Sequence, residues 1–180
     1  MLARARPNLM HLVQGEHAVS GDPEIALTTV LGSCVAACMW DARAGVGGMN
    51  HFLLPGALDR SGGMEQGVHA MELLINALLQ GGARRDRLEA KLFGGARMVK
   101  NLSDIGAQNA AFAADFLRQE KIINHGGSLG GDQARRIRFW PTSGKAQQLL
   151  LGRSDSAVFA QEMKVAAAPQ PKSVADVEFF

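Results

Sequence analysis

The stretch that most constrains this chain runs from Thr28 to Pro55, where two apolar runs flank a short polar segment. The first run ends Gly32-Ser-Cys-Val-Ala-Ala-Cys-Met-Trp40, the polar segment is Asp41-Ala-Arg-Ala-Gly45, and the second run is Val46-Gly-Gly-Met-Asn-His-Phe-Leu-Leu-Pro55. Apolar segments joined by a few turn residues make a β-hairpin. A turn between Trp40 and Gly45, with Asp41 to Ala44 as its loop, pairs Trp40 with Gly45. Counting outward, it pairs Cys34 with His51. Directly opposed side chains hold their Cβ atoms roughly 4.5–5.5 Å apart, close enough for an imidazole to meet a thiol. Two other geometries are open. A bulge at Gly47-Gly48 would displace the pairing by one and turn one of the two side chains to the other face. A helix opened by Gly32-Ser33 would put Cys34 in its first turn, where the dipole favours a thiolate. Cys34 is a candidate nucleophile in each; only the hairpin accounts for His51.

The rest of the composition narrows the setting. At 180 residues the chain is long enough for one domain with a sizeable core. A formal net charge of +2 is too small to make nucleic acid or an anionic membrane its main partner. No apolar run approaches the roughly 20 residues that span a bilayer, and the charged N-terminus has no hydrophobic segment after it, so no membrane insertion and no secretory signal are expected. The two cysteines, Cys34 and Cys38, would lie roughly 13 Å apart in a strand, too far for a disulfide, which fits a reduced, cytoplasmic protein.

Taken in order, residues 1–8 read as a flexible N-terminus, 9–165 as the folded domain and 166–180 as a flexible tail of Ala, Pro, Gln, Lys and Ser. Residues His11 to Val19 give a short strand or two broken at Gly15, and Ile25 to Leu31 is a strand. A helix is expected from about Glu65 to Gln80, with Val68, Met71, Leu74, Ile75, Leu78 and Leu79 as its apolar stripe. Glu89 to Phe93 is a strand turned sharply by Gly94-Gly95. A second helix runs from Ile105 or Ala107 to Glu120, with Asp104 near its start and Ala110, Ala111, Ala114 and Leu117 facing inwards. Ile122-Ile123 begins a strand, Gly126 to Gly131 is a loop, and Arg135 to Trp140 forms a hairpin with Ala146 to Leu151. The terminal Asp176-Val-Glu-Phe-Phe180 needs a surface for its aromatics, on this chain or on another, and strand addition to a partner would supply one.

The chemistry centres on Cys34. The small-residue corner Gly32-Ser33-Cys34 would let a substrate carbonyl approach backbone N–H groups that act as an oxyanion hole. An opposed His51 could take the thiol proton, and Thr28 and Thr29 lie where a hydroxyl or carbonyl could orient the imidazole. Together these features suit acyl transfer by thiolate attack on a carbonyl or carboxamide, then hydrolysis of the thioester. The competing reading is that Cys34 and His51 are ordinary core residues. A zinc site of Cys34, Cys38 and His51 lacks a fourth ligand at suitable spacing, and Cys38 reads as a buried hydrophobe. The glycine clusters follow no phosphate-binding pattern. No metal or organic cofactor is implied.

These same residues carry a resemblance. Leu31-Gly-Ser-Cys34-Val-Ala followed by Val46-Gly-Gly-Met-Asn-His51-Phe-Leu-Leu-Pro55 closely resembles the CheD chemoreceptor glutamine deamidases. Further similarity lies in His69-Ala-Met-Glu-Leu-Leu-Ile-Asn76, Lys91-Leu-Phe-Gly-Gly-Ala96, Ile105-Gly106 with Asn109, and Leu129-Gly-Gly131 before Arg135-Arg136, so that it spans roughly Leu9 to Gly152. The resemblance implies an α/β fold of the α+β type, a single-domain three-layer α/β/β sandwich. It also implies a hydrolase that converts glutamines on the cytoplasmic domain of chemoreceptors to glutamates and releases ammonia. Its catalytic residues would fall on Cys34, His51 and Thr28; Gly32, Ser33 and Asn50 are expected in the vicinity of the oxyanion and the substrate. A CheC-type phosphatase is a further implied partner, and an adaptor that binds receptor or phosphatase with little turnover is the alternative function. Two departures bear on substrate or partner preference. Gln108 stands where the family often has Arg, and Ser128 and Ala134 replace an acidic residue and a glycine.

Overall fold

The computed structural model describes residues 6–54, 61–98, 104–152 and 177–180. Of a loop expected over Gly56 to Gly63, residues 56–60 lie outside the described residues, as do residues 1–5 of the N-terminus and 166–176 of the tail, while 61–63 is already helix. The elements are β1 (Asn8–His11), β2 (His17–Ser20), β3 (Ile25–Leu31), β4 (Val35–Asp41), β5 (Val46–Asn50), α1 (Ser61–Gln80), β6 (Glu89–Gly94), α2 (Ile105–Gln119), β7 (Ile123–Leu129), β8 (Arg135–Trp140), β9 (Lys145–Leu150) and β10 (Val177–Phe179). They build two five-stranded mixed sheets, ordered β1-β3-β8-β9-β10 and β2-β5-β4-β6-β7. Both helices pack on the second sheet, and the first sheet covers its other face. The result is a single-domain α+β fold in three layers.

Strand β4 shows why the Cys34 region is apolar throughout. All seven of its residues are buried. Val35, Ala37 and Met39 face the helices, while Ala36, Cys38 and Trp40 face the first sheet. A strand covered on both faces reads as a continuous apolar run, and period-2 alternation sends its neighbours into different cores. Met71, Leu74, Ile75 and Leu78 fill the helix-side core without exposure, whereas Val68 (40% exposed) and Leu79 (37%) fall at the rim of the expected stripe. Helix α1 also starts earlier than expected, at Ser61. Helix α2 is rotated from the expected phase: its buried face is Gly106, Asn109, Phe112, Ala113, Phe116 and Leu117, and Ala111 is exposed. Alanines occur all round this helix and fix no face, so the two phenylalanines decide it. The Asp104 carboxylate caps its N-terminus by accepting from Ala107 N at 2.9 Å.

The hairpin forms with a register different from the expected one. Asp41 pairs with Val46, Trp40 with Gly47 and Cys38 with Met49. The loop is therefore Ala42 to Gly45, one residue later than expected. Asp41 is the cause. Its Oδ1 accepts from Arg43 N (3.0 Å) and Ala44 N (3.1 Å), and its Oδ2 from Arg84 N and Arg87 Nε (both 2.9 Å). Burial would raise its pKa, but the Arg87 guanidinium and these N–H groups outweigh that and hold it at about 2. Gly47 and Gly48 form no bulge; both sit in the ladder. A Cβ at Gly47 would strike the Pro141 carbonyl, and one at Gly48 would strike Ala18 O and the Val19 side chain, so the pair lets flanking backbone approach on either side.

Two further expectations change. β7 continues through Gly126 and Gly127 to Leu129 instead of ending in a loop, with its register against β6 shifting between Ala90 and Leu92. The expected strand addition by the chain's end is made within the chain: β10 pairs with β9, Glu178 opposite Gln148. Phe180 then lies edge-on to Phe93 at 5.5 Å.

Candidate active site

Cys34 stands between β3 and β4, in the bend Gly32-Ser33 and not in a helix. The corner is held by its carbonyls. Gly32 O accepts from Ala96 N (2.9 Å), Cys34 O from Gly95 N (2.8 Å), and Ser33 O from Asn109 Nδ2 (3.3 Å). The Gly94-Gly95 pair is what lets the β6 end run against this bend. Gly94 has φ +108°, and a Cβ there would collide with Cys34 O. Asn109 is fully buried, and its Oδ1 accepts from Leu54 N at 2.9 Å. One side chain of α2 thus ties the approach to Cys34 to the segment that follows His51.

His51 lies just past β5. Val35 and Phe52 exchange both backbone hydrogen bonds at 2.9 Å, which sets His51 opposite Ala36 and diagonal to Cys34. The slip from the expected pairing is two residues, so parity is kept and both side chains stay on the face toward the first sheet. A diagonal pair is roughly 7–8 Å apart at Cα, within reach of an imidazole leaning over a small residue such as Ala36.

Thr29, on the face of β3 that also carries Leu27 and Leu31, meets this imidazole: its Oγ1 lies 2.7 Å from His51 Nδ1 and donates to Leu12 O at 2.8 Å. Thr28, the residue the resemblance points to, faces the other way and donates to Ile137 O at 2.7 Å. Adjacent residues on a strand point to opposite faces, so only one of the two can reach His51. Asn50 is likewise off the site. It is on the helix side of β5, accepting from Ala37 N at 2.9 Å and donating to Ala70 O at 3.3 Å.

The hydroxyl of Thr29 fixes the tautomer. A hydroxyl has one proton, and Leu12 O takes it. Toward His51 the oxygen must therefore accept, so Nδ1 carries the ring proton and Nε2 presents a lone pair. That Nε2 is buried without a hydrogen-bond partner among the described residues. Burial, partly opposed by Glu16, lowers the His51 pKa to about 4. Burial also pushes the Cys34 thiol up to about 11, against the opposing influence of its own backbone N–H. At neutral pH the two are an uncharged thiol and an uncharged base.

The turn between β1 and β2, expected only as a break at Gly15 with no role at the site, forms the third side. Gly15 N donates to His51 O at 2.7 Å and His51 N to Glu16 O at 3.0 Å, which pins the turn to both sides of the imidazole's backbone. Cys34 Sγ donates to Gln14 Oε1 at 3.6 Å. Cys38 is fully buried between the sheets opposite Met49, and among the described residues no three His, Cys, Asp or Glu side chains are grouped to hold a metal ion.

Comparison with known proteins agrees with the motifs. The family model for CheD chemotactic sensory transduction matches residues 53–148. A Rhizobium rhizogenes protein is 53% identical over the full length of both chains. An Acidiphilium cryptum protein is 56% identical over 95% of this chain and 93% of its own, and an Agrobacterium fabrum protein 51% identical over 99% and 100%. All three are named "Probable chemoreceptor glutamine deamidase CheD". Among solved structures, a Neisseria meningitidis protein of the DUF152 family model overlays on 70% of this chain and 64% of its own, at a TM-score of 0.47 and 10% identity. With relatives above half identity along essentially its whole length, this chain belongs to the CheD family.

Proposed function

We propose that this chain is a chemoreceptor glutamine deamidase acting in the cytoplasm, a hydrolase of carboxamide C–N bonds with Cys34 as nucleophile and His51 as general base. The relatives' shared name supports the substrate class. No helix among the described residues is long and apolar enough to cross a membrane. The observation that carries the assignment of roles is the unpartnered lone pair on His51 Nε2, held in that tautomer by Thr29.

In this reading Nε2 takes the thiol proton as Sγ attacks Cδ of a receptor glutamine. Both groups are neutral at rest, so proton transfer accompanies attack instead of preceding it. The oxyanion rests on the N–H groups of Ser33 and Cys34, whose segment turns its carbonyls to Ala96, Asn109 and Gly95. The imidazolium then protonates the departing amine, ammonia leaves, and a thioester remains on Cys34. Nε2 next takes a proton from water as the oxygen attacks the thioester, and Sγ leaves with that proton restored. The product is glutamate. Mass spectrometry of a receptor cytoplasmic fragment tests this. The amide-to-acid mass gain is expected at particular glutamines with the wild type and not with Cys34→Ala. Stable binding without any mass gain would favour the adaptor.

A further inference from the structure

The side chain at the mouth of this site belongs to the protein itself and ends in the group the reaction consumes. Gln14 lies in the turn whose backbone is bonded to His51 on both sides, so its Cα is fixed. The residue is exposed, leaving its three side-chain torsions free to move. Its Oε1 nevertheless accepts from Cys34 Sγ, and Cys34 is only 6% exposed. A receptor glutamine whose Cδ is to meet Sγ must occupy the space that this carboxamide now fills.

We propose that Gln14 is an internal stand-in for the substrate glutamine, its carboxamide capping Cys34 in the free protein and swinging out when a receptor glutamine enters. The idea rests on the deamidase reading above. The cap is not consumed because the thiol points at the amide oxygen as a hydrogen-bond donor. Attack needs sulfur over the carbon, with the oxygen turned to the backbone N–H groups. The cap would make entry depend on binding energy from the rest of the receptor helix, and would shield the thiol from small electrophiles.

Alkylation of Cys34 by iodoacetamide at fixed pH, run beside steady-state deamidation of a receptor fragment, tests the cap on the full chain. In Gln14→Ala, and in Gln14→Met, which keeps the length but lacks the amide, Cys34 should alkylate faster. KM for the fragment should fall, each by about two- to fivefold for the loss of one weak hydrogen bond. Wild-type Gln14 should remain an amide by mass. Equal alkylation with unchanged KM overturns the proposal. So does a raised KM, which would make Gln14 a substrate-binding group, and so does a mass gain at Gln14, which would make it a substrate. If the wild type turns over no receptor glutamine, the deamidase reading fails while alkylation still decides the cap.

Discussion

Thr29→Val and Thr28→Val separate the two hydroxyls that stand before Cys34. Valine keeps the shape of threonine and deletes the oxygen. At position 29 this strips Leu12 O of its donor and His51 Nδ1–H of its acceptor, both lost from bonds of 2.7–2.8 Å. Each orphaned buried group costs about 1–3 kcal/mol. The imidazole can escape part of that by moving its proton to Nε2, but Nε2 is then no longer a base. During attack the ring becomes an imidazolium, and a hydrogen bond to a charged group contributes about 1.5–3 kcal/mol. Losing it lowers kcat about 10- to 150-fold with KM little changed. At position 28 only the bond to Ile137 O is lost. Stability should fall by about 1–3 kcal/mol there, with kcat within about threefold of wild type. Ammonia release from a receptor fragment gives the rates, and thermal melting of the same samples gives the stabilities. A larger kcat loss in Thr28→Val than in Thr29→Val would refute the assignment of Thr29 as the residue orienting His51.

Other expectations follow from the same geometry. Because the His51 pKa is lowered to about 4 and that of Cys34 is raised to about 11, kcat/KM should stay flat across neutral pH, its acid limb lying below the ordinary histidine range. In a neutral-buried histidine the unfolded state binds more protons between the unfolded value of 6.5 and about 4, so His51 adds stability above 6.5 that is lost as pH falls through that window. Denaturant midpoints in wild type and His51→Gln, compared across it, check this; parallel curves would contradict it. Asn109→Ala removes the partners of Leu54 N and Ser33 O. It should cost on the order of 2 kcal/mol and lower kcat by about tenfold through loosening of the Cys34 corner, read by melting and rate. Asp41→Asn breaks the buried pair with Arg87 (2.8 Å) and should destabilise by about 3–5 kcal/mol. The Asp41 contribution in wild type is present above 3.8 and lost as pH falls toward 2, which acid titration of the variant pair will show.

Much of this protein was legible residue by residue. The apolar runs around Asp41-Ala-Arg-Ala-Gly45 determined a hairpin, and alternation determined that Cys34 and His51 share a face. That conclusion survived a turn placed one residue too early, because the slip was two residues and two is the period of a strand. The helices, the capping role of Asp104 and most strand positions were likewise encoded within a few residues. Tertiary structure decided the rest, wherever partners lie far apart along the chain. The turn position rests on Arg84 and Arg87 meeting Asp41. The face of α2 rests on which side its phenylalanines find the sheet. Asn50, one residue from His51, turns to α1 instead of the site. Alternation alone says that Thr28 and Thr29 point apart; only the stacking of one sheet on the other says which of them meets the imidazole. Gln14 had no local signal at all, because its place at Cys34 is set by a turn bonded to a histidine far along the chain.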